Sequence, residues 1–106
     1  MRDIPKDELI AICKDPARRK GIHLIDVAPR QEFGRGHIAY AFNVPLEEMA
    51  EKGESALPMD RVVVVYGPKP EDAEKAGGIY ERLGFEVRVF RDDLAAWKAA
   101  DQPVSG

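Results

Sequence analysis

The run Val62-Val63-Val64-Val65-Tyr66 constrains this chain more than any other stretch. Four consecutive valines and a tyrosine read as a β-strand buried on both faces. Such a strand needs a packed layer on each side, which points to an α/β architecture. The strand runs into Gly67-Pro68-Lys69-Pro70, after which Glu71, Asp72 and Ala73 open an alanine-rich helical run. At a strand-to-helix junction of this kind, free backbone N–H groups and the positive end of the helix dipole converge. The loop from Gly67 to Asp72 is therefore the first candidate site.

The flanking sequence supplies the layers. Residues 2–4 read as a short edge strand closed by Pro5, and Lys6 to about Lys14 as a helix with an apolar stripe of Leu9, Ile10, Ile12 and Cys13. Asp15-Pro16 ends that helix. Ile22 to Val27 is a second buried strand, and Ala28 to Gly36 a turn and short helix started by Pro29. A third strand is expected within Ala39 to Pro45, then a short helix from Leu46 to about Lys52 stopped by Gly53. Glu71 to Leu83 reads as a helix whose inner stripe is Ala73, Ala76, Gly77, Tyr80 and Leu83, with Gly84 as its cap. Gly77-Gly78 within it costs about 1 kcal/mol per glycine relative to alanine. Close approach to the sheet explains one of the two. Phe85 to Phe90 alternates as a strand. Asp92 or Asp93 caps a last helix, Leu94 to Ala100, with Trp97 facing inward. Strands and helices alternating over short connections predict a mainly parallel sheet with helices on both faces.

Composition narrows the function classes. A chain of 106 residues is read as one domain, residues 1–106. A net charge of −3 is no footprint for nucleic acid, and Arg18-Arg19-Lys20 reads as a solvated helix end where cations suit the dipole. No apolar run approaches the roughly 20 residues that span a bilayer, and the charged N-terminus is unlike a signal peptide. One cysteine excludes an internal disulfide and is compatible with a cytoplasmic location. Cys13 reads as a small buried hydrophobe rather than a reactive thiol. Asp26, near the end of a buried strand, must accept hydrogen bonds, and backbone N–H groups of a neighbouring loop are the expected donors. His23 reads as a packed or edge histidine. His37 lacks a second ligand at metal spacing, so a hydrogen bond to a turn is its expected task. No metal or cofactor is implied.

Taken together, these residues resemble the rhodanese-like domain along almost the whole chain. The matching segments are Leu24-Ile25-Asp26-Val27, Glu32-Phe33, Gly36-His37-Ile38 and Ala41-Phe42-Asn43-Val44-Pro45. Val63-Val64-Val65-Tyr66, Leu83-Gly84-Phe85, Val87 and Leu94-Ala95-Ala96-Trp97 follow. The resemblance implies a three-layer fold: a five-stranded, mainly parallel sheet between helices. In active members of the family a cysteine after the strand like Val62–Tyr66 carries sulfur as a persulfide, and the following loop wraps backbone N–H groups around it. Here that position is Gly67, and its spacing to the helix-ending Gly84 is like the family's.

Around Gly67 the chain departs from the family pattern. Glycine offers no nucleophile. Pro68 and Pro70 lack N–H groups for an anion cradle, and Pro70 falls where the family often has a flexible glycine. Asp72 falls where active members often carry arginine, Ala28 replaces the arginine after Asp-Val, and Asp92-Asp93 replace paired glycines. Asp26, Glu71, Asp72, Asp92 and Asp93 are then expected to crowd one rim, with Lys69 the only cation in the loop, so that an anion meets net repulsion. The resulting expectation is a catalytically inactive module with no catalytic residue, binding a protein partner or a small ligand, with no nucleic acid and no membrane. The alternative is a thiosulfate or persulfide sulfurtransferase using Cys13 as an unconventional carrier. Cation binding by the acidic rim with His37 is a further reading, set behind solvated helix-capping carboxylates.

Overall fold

The computed structural model describes residues 1–49, 60–92, 94–100 and 102–105. Five strands form one parallel sheet: β1 (Arg2–Asp3), β6 (Val87–Val89), β5 (Val62–Tyr66), β2 (Ile22–Asp26) and β4 (Phe42–Asn43), in that spatial order. The valine strand lies at the centre, with Leu24 opposite Val64 and Asp26 opposite Tyr66. Successive side chains of a strand point to opposite faces, and each face here meets its own helices. Val63 and Val65 pack with Ile25, Val27 and the inner side of α4 (Pro70–Arg82). Val64 and Tyr66 pack with Leu24, with Leu9, Ile12 and Cys13 of α1 (Lys6–Lys14), and with Trp97 of α5 (Leu94–Ala99). The expected α/β fold with a five-stranded parallel sheet and helices on both faces is the observed one.

Local chemistry sets the element ends. Asp15 accepts hydrogen bonds from the N–H groups of Ala17 and Arg18, so the chain passes from α1 directly into a short α2 (Pro16–Arg19). Gly84 follows α4 at φ 101, a backbone conformation that glycine adopts without strain, and its N–H reaches the Glu81 carbonyl. A Cβ at Gly77 would meet Met1 Sδ, Val87 Cγ1 at 3.2 Å and Val65 Cγ2 at 3.5 Å, so this glycine lets α4 close on the sheet. At Gly78 a Cβ would meet only an Arg82 guanidinium nitrogen at 3.8 Å, and nothing in the structure explains that glycine.

Two expectations change. The third strand is divided: β3 (His37–Ile38) pairs antiparallel with β7 (Val104–Ser105), and only β4 joins the main sheet. The cause is a turn at Ala39-Tyr40, in which the Ala41 N–H returns to the Ile38 carbonyl at 2.9 Å. Leu83 is 37 % exposed and lies off the inner stripe, because α4 ends one residue before it. Leu46–Glu48 forms a 3-10 turn and Met49 continues as helix; the rest of the helix expected to Lys52, with its stop Gly53, lies outside the described residues. The last helix, α5, ends at Ala99.

Candidate functional site

Parallel strands deliver their carboxyl ends to one edge of the sheet, and ligand sites of α/β proteins lie there. β5 brings Tyr66 and Gly67 to that edge, and β2 brings Asp26 beside them. A cleft of ≈ 350 Å³ opens at this point. Tyr66, Gly67 and Pro68 form part of its wall, with Asp26 and Ala28 next to them. Glu32, Arg35 and Gly36 come from α3 (Arg30–Arg35) and its end, while Leu94, Ala95 and Lys98 come from α5.

Asp26 is only 4 % exposed and accepts the Ala28 N–H at 2.8 Å. Burial raises its pKa above the ordinary carboxylate value; the Ala28 N–H, a hydrogen bond from the Tyr66 hydroxyl and the nearby His37 ring oppose the rise. The Tyr66 hydroxyl in turn accepts the Ile38 N–H at 3.0 Å. Burial, followed by the Asp26 charge, pushes the phenol strongly upward, so Tyr66 stays a neutral donor. Asn43 fastens the same corner, its side-chain amide donating to the backbone carbonyls of Asp26 at 3.0 Å and Ala28 at 2.9 Å. Arg30 grips Glu48 through two hydrogen bonds of 3.1 and 2.8 Å, tying α3 to the 3-10 turn.

His37 donates through Nδ1 to the Phe33 carbonyl at 2.8 Å, since a carbonyl only accepts. Its ring stacks on Phe33, with centroids 3.5 Å apart. The structural hydrogen bond expected of it is present, with its acceptor in the last turn of α3 rather than in a loop turn.

The other sequence-derived candidates are dispersed. Lys69, Pro70 and Glu71 lie at the start of α4, outside the cleft wall. Asp72 lines a separate hollow with Val27, Pro29 and Pro45. Asp92 is exposed and away from the cleft wall, and Asp93 lies outside the described residues. Among the described residues no three of His, Cys, Asp and Glu gather as a metal site. Among the described residues of the acidic set, Asp26 alone lines the cleft, and Glu32 joins it there. Two cations that sequence reasoning missed, Arg35 and Lys98, line it too. No local motif marks them; α3 and α5 bring them together across the sheet edge. The cleft is thus of mixed charge rather than uniformly acidic.

Gly67 is sterically committed. A Cβ built on it would lie 2.7 Å from Val27 Cγ2, and Val27 is itself buried. Cys13 does not line this cleft; it is 2 % exposed, and burial pushes its thiol up to about 11.

A central parallel sheet, helices on both faces and a cleft at the strand carboxyl ends define an open-sheet α/β protein. Residues 7–100 match the rhodanese-like domain, and the chain belongs to that family. It is 35 % identical over 85 residues to an HTH-type transcriptional regulator of Mycobacterium tuberculosis. That match takes in 78 % of this chain and 37 % of the relative, so the chain corresponds to a minority of the regulator's length. The solution structure of a rhodanese-like domain from Anabaena sp. superposes with a TM-score of 0.86 at 28 % identity, covering 100 % of this chain and 80 % of that one. A crystal structure of a Bacillus halodurans protein gives a TM-score of 0.88 at 23 % identity over 99 % of this chain and 77 % of that one, which shows the shared fold.

Proposed function

We propose that this chain is a rhodanese-like module that binds rather than transfers sulfur, acting as a regulatory or partner-recognition domain for a protein or small ligand. The observation that carries this reading is Gly67 at the end of β5: no nucleophile is present, and Val27 occupies the space a side chain would need. Pro68 in the cleft wall, which lacks an N–H, supports it as well. The regulator relative favours a regulatory role over a metabolic one, and the single, buried, free Cys13 accords with a cytoplasmic location. No described helix is long and apolar enough to cross a membrane.

The experiment is thiosulfate-to-cyanide sulfur transfer with the purified chain. The expected rate is that of the buffer. Turnover that persists in Cys13→Ala and through purification to homogeneity would overturn the proposal. The alternative, Cys13 as sulfur carrier, needs a thiolate, and a buried thiol at about 11 is almost wholly protonated near neutral pH. Intact mass after incubation with thiosulfate is expected to show no added sulfur on the folded chain; a reductant-reversible adduct on Cys13 would reinstate the alternative. Iodoacetamide is likewise expected to alkylate Cys13 only after the chain is unfolded.

A further inference from the structure

A second groove, of ≈ 430 Å³, lies away from the Gly67 cleft, between α2 and the β2–β4 edge of the sheet. Among the described residues, its charged lining residues are Arg19, Lys20 and Arg61 and no carboxylate lines it, although the chain as a whole carries −3. Two aromatic side chains stand beside them: Tyr40, 37 % exposed, and Phe42, 65 % exposed on the edge strand β4. Read along the chain, Arg19-Lys20 is a helix end and Phe42 a strand residue. Folding sets them around one concavity with Arg61, the residue before β5.

Arg19 is already positioned. Its guanidinium donates to the Cys13 carbonyl at 2.8 Å and lies 4.2 Å from the centroid of the Tyr40 ring. Holding a long cationic side chain against an aromatic face reduces the rotamer entropy lost on binding. Arginine and tyrosine anchors in desolvated pockets are the groups that carry interface energy. Among the described residues, Lys20 and Arg61 form no ion pair; Lys20 is exposed and Arg61 partly so. Exposed phenylalanine on an edge strand is a liability unless something covers it.

We infer that this groove docks an acidic protein segment, an extended peptide whose carboxylates meet Lys20, Arg61 and the free side of Arg19 while an apolar side chain packs on Phe42 and Tyr40. Charge complementarity selects this occupant: among the described lining residues, three cations and no carboxylate suit a short run of Asp or Glu. A nucleic acid is the poorer fit, because tracking a phosphate backbone calls for a longer basic stripe than a chain of −3 presents. The inference goes beyond the proposed function by fixing a surface and a partner chemistry. It does not depend on the absence of sulfur transfer.

The test is selection of a random-peptide display library on the immobilised folded chain, with a pool of single-stranded DNA oligonucleotides titrated in parallel. Enriched peptides are expected to combine clustered carboxylates with an apolar residue and to weaken as salt rises. A synthetic copy of one such peptide is expected to shift the backbone amide resonances of residues around the groove. K20E together with R61E is expected to lower its affinity at least about tenfold, and F42A to lower it several-fold. Phe42, Lys20 and Arg61 are not fully buried, and an unchanged amide spectrum elsewhere verifies that the variants fold. Enriched peptides without acidic bias, shifts confined to the Gly67 cleft, affinity indifferent to charge reversal, or tighter binding of the oligonucleotides would each overturn the inference.

Discussion

At position 67 two residues decide the chemistry together. Gly67 lacks the side chain, and the Val27 methyl 2.7 Å from where a Cβ would stand resists putting one back. Gly67→Cys is therefore expected to destabilise the fold by about 1–3 kcal/mol, the range for overpacking a filled site. It should leave sulfur transfer near background. Chemical denaturation of a double-mutant cycle checks the first part: Val27→Ala should cost less stability in the Gly67→Cys chain than in the parent. Vigorous transfer by the single variant would show that the surrounding loop can still cradle an anion. Asp26 gives a pH signature. Burial raises its folded pKa, so the folded state binds more protons than the unfolded state between the unfolded and folded values. Asp26 therefore makes stability fall as pH rises through that window and level off above it. Asp26→Asn should remove this decline, seen as a stability difference between variant and parent that grows with pH and then plateaus. Glu8, held low by its hydrogen bonds with Arg88, acts oppositely: its contribution is present above its unfolded pKa and is lost as pH falls through the depressed folded value.

Among the elements, α4 separates two glycines that look alike in sequence. Gly78→Ala makes only an ordinary contact with the Arg82 side chain and replaces a poor helix former, so it should stabilise by up to about 1 kcal/mol. Gly77→Ala gains the same propensity but presses on Val87, a β-branched residue with little freedom to move. It should fall below Gly78→Ala in stability, with thermal melts of both variants as the check. The helix pattern pointed to close approach at one glycine, and only the packing of α4 on β5 and β6 identifies which. β3, β4 and β7 were least legible, for a related reason. A strand of two residues carries no period of its own, and its identity depends on a partner far along the chain, as His37 does on Ser105.

For the whole molecule, the carboxyl-terminal segment works as a fastener. The Pro103 carbonyl accepts the indole N–H of the buried Trp97 at 3.0 Å, and Val104–Ser105 pair with β3. Ending the chain after Gln102 should cost about 1–3 kcal/mol through the orphaned indole alone, with loss of β3 pairing in addition. The measurement is a urea midpoint for the shortened chain against the parent, read with the denaturant slope unchanged. By itself the sequence determined the central valine strand, the flanking helices, the parallel sheet and the absence of a nucleophile at Gly67. Each of those is written locally, in runs of apolar residues, helical spacing or a single residue type. The tertiary structure alone decided which charges meet. It scattered Asp72 and Asp92 from the cleft, brought Arg35 and Lys98 to it, and set Arg19, Lys20 and Arg61 around Tyr40 and Phe42. Side chains far apart in the chain become neighbours only when the layers pack, and no local pattern encodes that distance.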